Sequence, residues 1–225
     1  MKFKPLVCEF IGAFALCFSG FLAVHNMGRS HELGGLLMVA FAFGLPIACL
    51  GSAFGAISGA HFNPAVTLGF LVIKKIDVVS AIGYIVVQLL GAYAASMLLG
   101  AVPGFDKGQA VPFSGAIGTP VAFILEAVAT FFLMTVVMGT AVDSRGPKIG
   151  AIAIGLTVTF GIIAIGPLTS GCLNPARYFG PALAGGKSFR EALVYLAGPI
   201  VGAVSAAILY KSLFLESTPE PEPAA

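Results

Sequence analysis

Charge is scarce in this chain. Of 225 residues, 12 are Lys or Arg and 10 are Asp or Glu, so 10% are charged, against about 25% in an ordinary soluble domain. So few charges cannot cover a water-facing surface of this size, but they can flank helices whose solvent is lipid. The formal net charge is only +2, and no basic run interleaved with aromatics occurs, which argues against a nucleic-acid partner. Cysteine is also sparse. Cys8, Cys17, Cys49 and Cys172 lie in apolar stretches, with no CxxC pair and no histidine at zinc-ligand spacing. They read as reduced thiols behaving as small hydrophobes, and neither a metal site nor a cofactor is implied. Nucleophile–base pairs and phosphate-binding loops are missing too, so enzyme activity has no support.

What is abundant is apolar sequence: 58% of residues are hydrophobic and the mean hydropathy is +0.99. Six apolar stretches are long enough to cross a bilayer core, which takes about 20 residues. They run over 6–24, 34–55, 79–101, 120–142, 149–167 and 190–213. The first follows Lys2 and Lys4 as a signal peptide would, but Glu9 interrupts it and no clear cleavage site follows, so it reads as a retained membrane helix. Two further segments, 63–73 and 174–183, are too short to span. Each opens with Asn-Pro-Ala after a loop containing Gly and Ser, and Pro directly after an Asn cap is a strong helix start. They are expected to be half-helices that enter the membrane and stop. With six spans both termini share a side. That side carries Lys2, Lys4, Lys74, Lys75, Arg145, Lys148 and Lys211, against Arg29, Lys107, Lys187 and Arg190 on the other, which predicts cytoplasmic termini.

The chain repeats itself. Asn63 and Asn174 are 111 positions apart (174 − 63), and so are Tyr84 and Tyr195, and Gly91 and Gly202. Glu9 and Glu126 sit early in the first and fourth spans, each followed by an Ala/Phe-rich run. The first copy takes residues 1–113 and the second 114–215, each with three spans and one half-helix. Residues 216–225 form a Pro- and Glu-rich tail expected to be disordered on the cytoplasmic side. Three spans is an odd number, so the second copy must be inserted upside down, and inverted repeats place their site near the bilayer midplane. The expected fold is therefore an all-α membrane protein of six transmembrane helices plus two re-entrant half-helices in an inverted repeat.

In such a pair the half-helix N-termini face each other at mid-membrane, each with unpaired N–H groups and a partial positive charge. Asn63 and Asn174 add amide donors at the same place. A water there turns its oxygen to the asparagines, which interrupts a proton-conducting chain. Arg177, directly after the second Asn174-Pro175-Ala176 turn, is a charge in an apolar setting and is expected to form a constriction. Its counterpart in the first repeat is Val66. Glu9 and Glu126 have two readings: a proton relay, or acceptors for loop N–H groups. Their duplication favours the second, and Gln88 is expected to act likewise.

The segments SGAHFNPAVTLG and SGCLNPARYFGPAL resemble the paired signature loops of aquaporins, the major intrinsic protein family, and the match runs in order from Glu9 to Gly202. The resemblance implies a homotetramer in the cell membrane with one pore per protomer. It also implies an outer selectivity filter of Phe43, Ile162, Gly171 and Arg177. Phe43 and Ile47, like Val158 and Ile162, are one helical turn apart, so Ile47 and Val158 are expected on the pore wall. Exclusion of protons and cations by an arginine or by half-helix dipoles is an established device of such pores. Two departures matter. Ile162 stands where strict water channels carry His, and Gly171 is expected to widen the filter. Tyr178 stands where the glycerol branch carries Asp. Passive water passage is the reading favoured. The alternatives are a channel mainly for small neutral solutes or gases (glycerol, ammonia, hydrogen peroxide, carbon dioxide) and a proton-coupled transporter. Cys172 is a candidate mercurial site, and His61 a hydrogen-bonding wall residue at the inner mouth.

Overall fold

The computed structural model describes residues 2–27, 34–107, 117–186, 189 and 191–215. The 216–225 tail, the 113/114 boundary, Arg29, Lys187 and Arg190 lie outside these residues. The described residues form eight α-helices. Six are long and apolar enough to cross a membrane. They are α1 (Phe3–Met27), α2 (Gly34–Ser58), α4 (Val78–Leu99), α5 (Thr119–Val137), α6 (Gly150–Thr169) and, taken together with the π-helical turn that leads into it, α8 (Gly198–Leu213). A π-helical turn, Met138–Val142, extends α5, and another, Leu193–Ala197, leads into α8. The two short helices are α3 (Pro64–Val72) and α7 (Pro175–Ala184). They begin one residue after the asparagines because Asn63 and Asn174 are the caps and the prolines occupy the first helical position, where a missing N–H costs nothing.

The surface is apolar where a soluble protein would be polar. Val79, Ile82, Ile124, Ile152 and Leu193 are all more than half exposed, as lipid contact requires. Charge and hydrogen-bonding groups are turned inward instead: Glu9, Gln88, Glu126 and Thr67 are fully buried.

Lipid tails are as apolar as leucine, so helices in a bilayer associate through close packing rather than hydrophobic expulsion. α1 packs on α2 and α4, while α5 packs on α6 and α8. The two sets are locked together crosswise: α3 packs on α8, α7 on α4, and α2 on α6. The α2–α6 contact is reciprocal. A Cβ on Gly44 would lie 2.5 Å from the Gly155 carbonyl, and one on Gly155 would lie 2.5 Å from the Gly44 carbonyl. Gly44 and Gly155 are 111 positions apart (155 − 44), so equivalent residues meet each other, as on a two-fold axis.

Candidate functional site

Each short helix is preceded by a loop in an unusual conformation. Gly59, Ala60 and Phe62 have φ of 84°, 52° and 50°; their counterparts 111 positions on, Ser170, Gly171 and Leu173, have 67°, 56° and 53°. The left-handed region costs a residue with a Cβ about 1–2 kcal/mol. Such a path persists only if its surroundings hold it.

Two buried carboxylates hold it. Glu9 Oε1 accepts from Ser58 Oγ at 2.7 Å and the His61 N–H at 3.0 Å. Its Oε2 accepts from the Phe62 N–H at 2.7 Å and Gln88 Nε2 at 2.8 Å. Glu126 does the same for the second loop, accepting from Thr169 Oγ1 at 2.7 Å and the N–H groups of Cys172 and Leu173 at 2.8 Å each. Both glutamates thus bond loop N–H groups. Gln88 differs from expectation: it accepts nothing from the loop, but donates to Glu9 and, at 3.1 Å, to Thr67 Oγ1. The reason is electrostatic. A side-chain amide beside a carboxylate turns its NH2 toward it. Sequence reasoning also left Tyr84 and Tyr195 without a role. Their hydroxyls donate to the carbonyls of Ser58 (2.8 Å) and Thr169 (3.0 Å), the residues that open the two loops.

The loops deliver the asparagines to one place. Each Asn side-chain oxygen caps its own helix, accepting from Ala65 N and Ala176 N at 2.9 Å. Each Asn amide donates to the opposite loop: Asn63 Nδ2 to the Leu173 carbonyl at 2.8 Å, and Asn174 Nδ2 to the Phe62 carbonyl at 2.9 Å. An amide nitrogen carries two protons. One from each asparagine is committed to the opposite loop, and the second is left over. Both asparagines border a cavity that continues past Ile47, His61, Val66 and Phe70 to Val137 and Ala141, with about 30 Å³ of room for water centres. That is enough for at least one water.

Phe43, Ile162, Gly171 and Arg177 also meet. Arg177 is 4% exposed. Its Nη2 donates to the Ser170 carbonyl at 3.0 Å, and its Nη1 to the carbonyls of Gly171 and, at 3.4 Å, Cys172. Among the described residues its Nε has no hydrogen-bond partner. The guanidinium carbon lies 3.7 Å from the centre of the Phe43 ring, a cation–π contact. Phe43 is in turn braced edge-on by Phe21 and packed against Gly20, whose missing side chain makes room for the ring.

Gly171 does not widen this cluster. An ideal Cβ there would lie 2.8 Å from Ile162 Cα, so α6 already fills the space a side chain would take. Glycine here permits close approach and a left-handed backbone rather than leaving a gap. Val158 is buried in the core and is not among the residues lining the cavity beside Ile47. Ile154, which the sequence reading passed over, does line it. Its signal was available, since it is the counterpart of Phe43 at the 111-residue offset (154 − 43). Cys172 is 2% exposed, packed with Ala122, Tyr178, Val194 and Tyr195, and its thiol donates to the Asn174 carbonyl at 3.2 Å.

On the cytoplasmic side predicted from charge, a clasp joins the end of α8 to the end of α3 and the segment after α5. Arg145 makes a two-pronged contact with Asp143 (Nε–Oδ1 3.0 Å, Nη2–Oδ2 2.7 Å) and donates to the Phe214 carbonyl. Tyr210 donates to Asp143 at 3.2 Å, and Lys211 to the Ile73 carbonyl at the end of α3 at 3.3 Å.

Comparison with known proteins agrees with this geometry. Residues 1–210 match the family model described as major intrinsic protein. Among relatives, the chain is 40% identical to the aquaporin AqpM of Methanothermobacter thermautotrophicus, over 95% of this chain and 98% of that one. It is 41% identical to the glycerol uptake facilitator protein-like 6 of Lactiplantibacillus plantarum, over 91% and 95%. In fold it is similar to the aquaglyceroporin of Plasmodium falciparum, with a TM-score of 0.82 and 27% identity over 93% of this chain and 96% of that structure. Six apolar membrane helices, two short helices meeting at their asparagines and this breadth of similarity make one case: the chain belongs to the major intrinsic protein family, a multi-pass membrane channel for water or small solutes.

Proposed function

We propose that this channel conducts water passively and turns back protons and ions. The observation that carries the reading is the spare amide proton on each of Asn63 and Asn174, at the N-terminal ends of two helices that bond to each other's loops. A water between them accepts from both asparagines, its own protons point away along the pore, and a relay through it is broken. The two positive helix ends oppose a cation at the same point. In this reading Phe43, Ile162, Gly171 and Arg177 form the outer filter, and residues 1–113 and 114–215 are the two inverted copies. The protein is a homotetramer in the cell membrane with cytoplasmic termini. Proteoliposome stopped-flow tests the main claim. We expect fast osmotic shrinkage, a low activation energy and no proton current; shrinkage at the rate of empty vesicles overturns it.

A second reading is a channel mainly for small neutral solutes or gases. Ile162 supports it, since an uncharged aliphatic filter position offers no hydrogen bond to compete for water. Glycerol, ammonia and carbon dioxide uptake in the same vesicles separates the two. Proton-coupled transport is not favoured, because Glu9 accepts four hydrogen bonds, two of them from loop N–H groups, as an anion that holds the loop would. Cys172 is the site proposed for mercurials. Its burial makes block slow, and Cys172→Ser removes it.

A further inference from the structure

The short helices α3 and α7 end in the same turn, built from different residues. After the cap residue of each, Ile73 or Gly185, comes a residue with φ of 61°: Lys74 after α3 and Gly186 after α7. Each N–H reaches back one helical turn, Lys74 to the Leu71 carbonyl at 3.0 Å and Gly186 to the Leu183 carbonyl at 3.3 Å. Glycine takes a left-handed backbone without strain, and lysine does not. Nothing lies within 4 Å of where a Cβ on Gly186 would be, so backbone conformation, not space, favours glycine at this point. The second copy of the turn uses that solution and the first does not. A charge that only sets topology can stand anywhere in the loop. A lysine held in left-handed backbone points to a task for this position.

Lys74 and Lys75 are both exposed, and among the described residues neither side chain has an ion-pair or hydrogen-bond partner. They line an open groove between the end of α3 and the start of α4, together with Ile76, Asp77 and Val78. The acid in the groove is engaged elsewhere: Asp77 Oδ1 caps α4, accepting from the Ser80 N–H at 2.9 Å. Lys2 lines a second groove that reaches the first turn of α4 at Ser80. Three lysines against one aspartate leave this turn positive. Beside the lysines the surface becomes apolar at once: Val72, Val78, Val79 and Ile82 are 45–64% exposed. Val78 and Ile82 are one helical turn apart and share a face of α4.

We propose that the turn between α3 and α4 is a binding site for an anionic phospholipid, its phosphate held by Lys74 and Lys75 and an acyl chain laid along Val78 and Ile82. The pairing of charge with apolar surface selects this class. Free phosphate would use the lysines and leave the apolar strip without a role. A zwitterionic lipid brings a cationic group that the lysines repel. Anionic lipids of the cytoplasmic leaflet attract basic segments at the membrane surface, which is where charge places this turn. A lipid bound here ties the end of α3, whose other end is capped by Asn63, to the membrane surface. The proposal needs a bilayer beside α4 and no particular solute, so it stands apart from the water reading.

The test titrates the full-length channel in nonionic detergent with phosphatidylglycerol, phosphatidylcholine or inorganic phosphate. Bound lipid is read by native mass spectrometry and stability by thermal unfolding. Phosphatidylglycerol should bind more tightly than phosphatidylcholine and raise the melting temperature, and inorganic phosphate should leave it unchanged. Lys74→Gly and Lys75→Gln should each weaken phosphatidylglycerol binding about fivefold, the worth of one lysine at a membrane surface. Without lipid, Lys74→Gly should melt higher than the wild type, because the strained residue is gone, which separates lost binding from misfolding. Lys148→Gln removes the same charge elsewhere on the same predicted side and should bind as the wild type does. An equal loss of affinity in Lys148→Gln would reduce the effect to general surface charge. An equal stabilisation by inorganic phosphate would make this a phosphate site without a lipid. Either result overturns the proposal, as does wild-type affinity in both turn variants.

Discussion

Glu126→Gln isolates the force that shapes the loop before α7. The carboxylate accepts three hydrogen bonds at 2.7–2.8 Å from the loop that carries Gly171 and supplies the carbonyls for Arg177. Glutamine keeps one acceptor oxygen and turns an NH2 toward donors. At least one charge-assisted bond, about 1.5–3 kcal/mol, is lost, and one buried N–H is left unpaired at a further 1–3 kcal/mol or so. Ser170 and Leu173 sit in left-handed backbone and relax once released, at about 1–2 kcal/mol each. The loop then leaves its path, and the Ser170, Gly171 and Cys172 carbonyls no longer aim Arg177. The helices themselves keep their packing. The expected result in stopped-flow is a loss of water permeability of about tenfold or more, with helical content and oligomer size unchanged. Glu9→Gln should behave similarly through the other loop. Wild-type permeability and thermal stability in the Glu126→Gln protein would show that the carboxylate does not hold the loop. A proton current in wild-type vesicles that disappears in both variants would favour the relay.

Arg177→Val removes the charge that stacks on Phe43 and frees three carbonyls; larger neutral solutes and small cations should then leak through, and unchanged selectivity in a solute-uptake series would place the narrowest point elsewhere. Gly171→Ala should lower thermal stability as well as flux, because the new methyl meets Ile162 and the left-handed backbone adds about 1–2 kcal/mol. An alanine variant as stable as wild type, merely narrower, would restore the idea that glycine widens the filter. Asp143 gives a pH test. Hydrogen bonds from Arg145, with one from Tyr210, hold its carboxyl below the usual aspartate range. Its contribution is therefore complete above the unfolded value of about 3.9 and is lost as pH falls below it toward the folded one. Asp143→Asn should melt earlier than wild type at pH 7 in detergent, and the gap should hold down to about pH 4 and begin to narrow only below it; identical melting of the two proteins at pH 7 would remove the clasp from the stability of the fold.

Much of this architecture is legible in the sequence because membrane proteins conceal little. An acid such as Glu9 or Glu126 in an apolar run has few uses, and its appearance in both repeats narrows them further. The 111-residue offset makes the two asparagines partners before any coordinate is known, and it would have produced Ile154 had it been applied to Phe43. Other features needed three dimensions. The π-helical turns at Met138–Val142 and Leu193–Ala197 lie inside apolar runs whose composition does not change there. The part played by Gly171 depends on where α6 passes, and the direction of the Gln88 amide on which charge stands beside it.

The crossed bonds between the asparagines and the opposite loops carry an implication for assembly. Each half of the chain completes the other's tip, since each Asn amide finds its carbonyl only in the opposite half. Translation of the first three membrane helices yields a part awaiting its mate. A polypeptide cut between α4 and α5 has lost no contact described here, so its two pieces, made together in one membrane, can rebuild a conducting unit that neither forms alone.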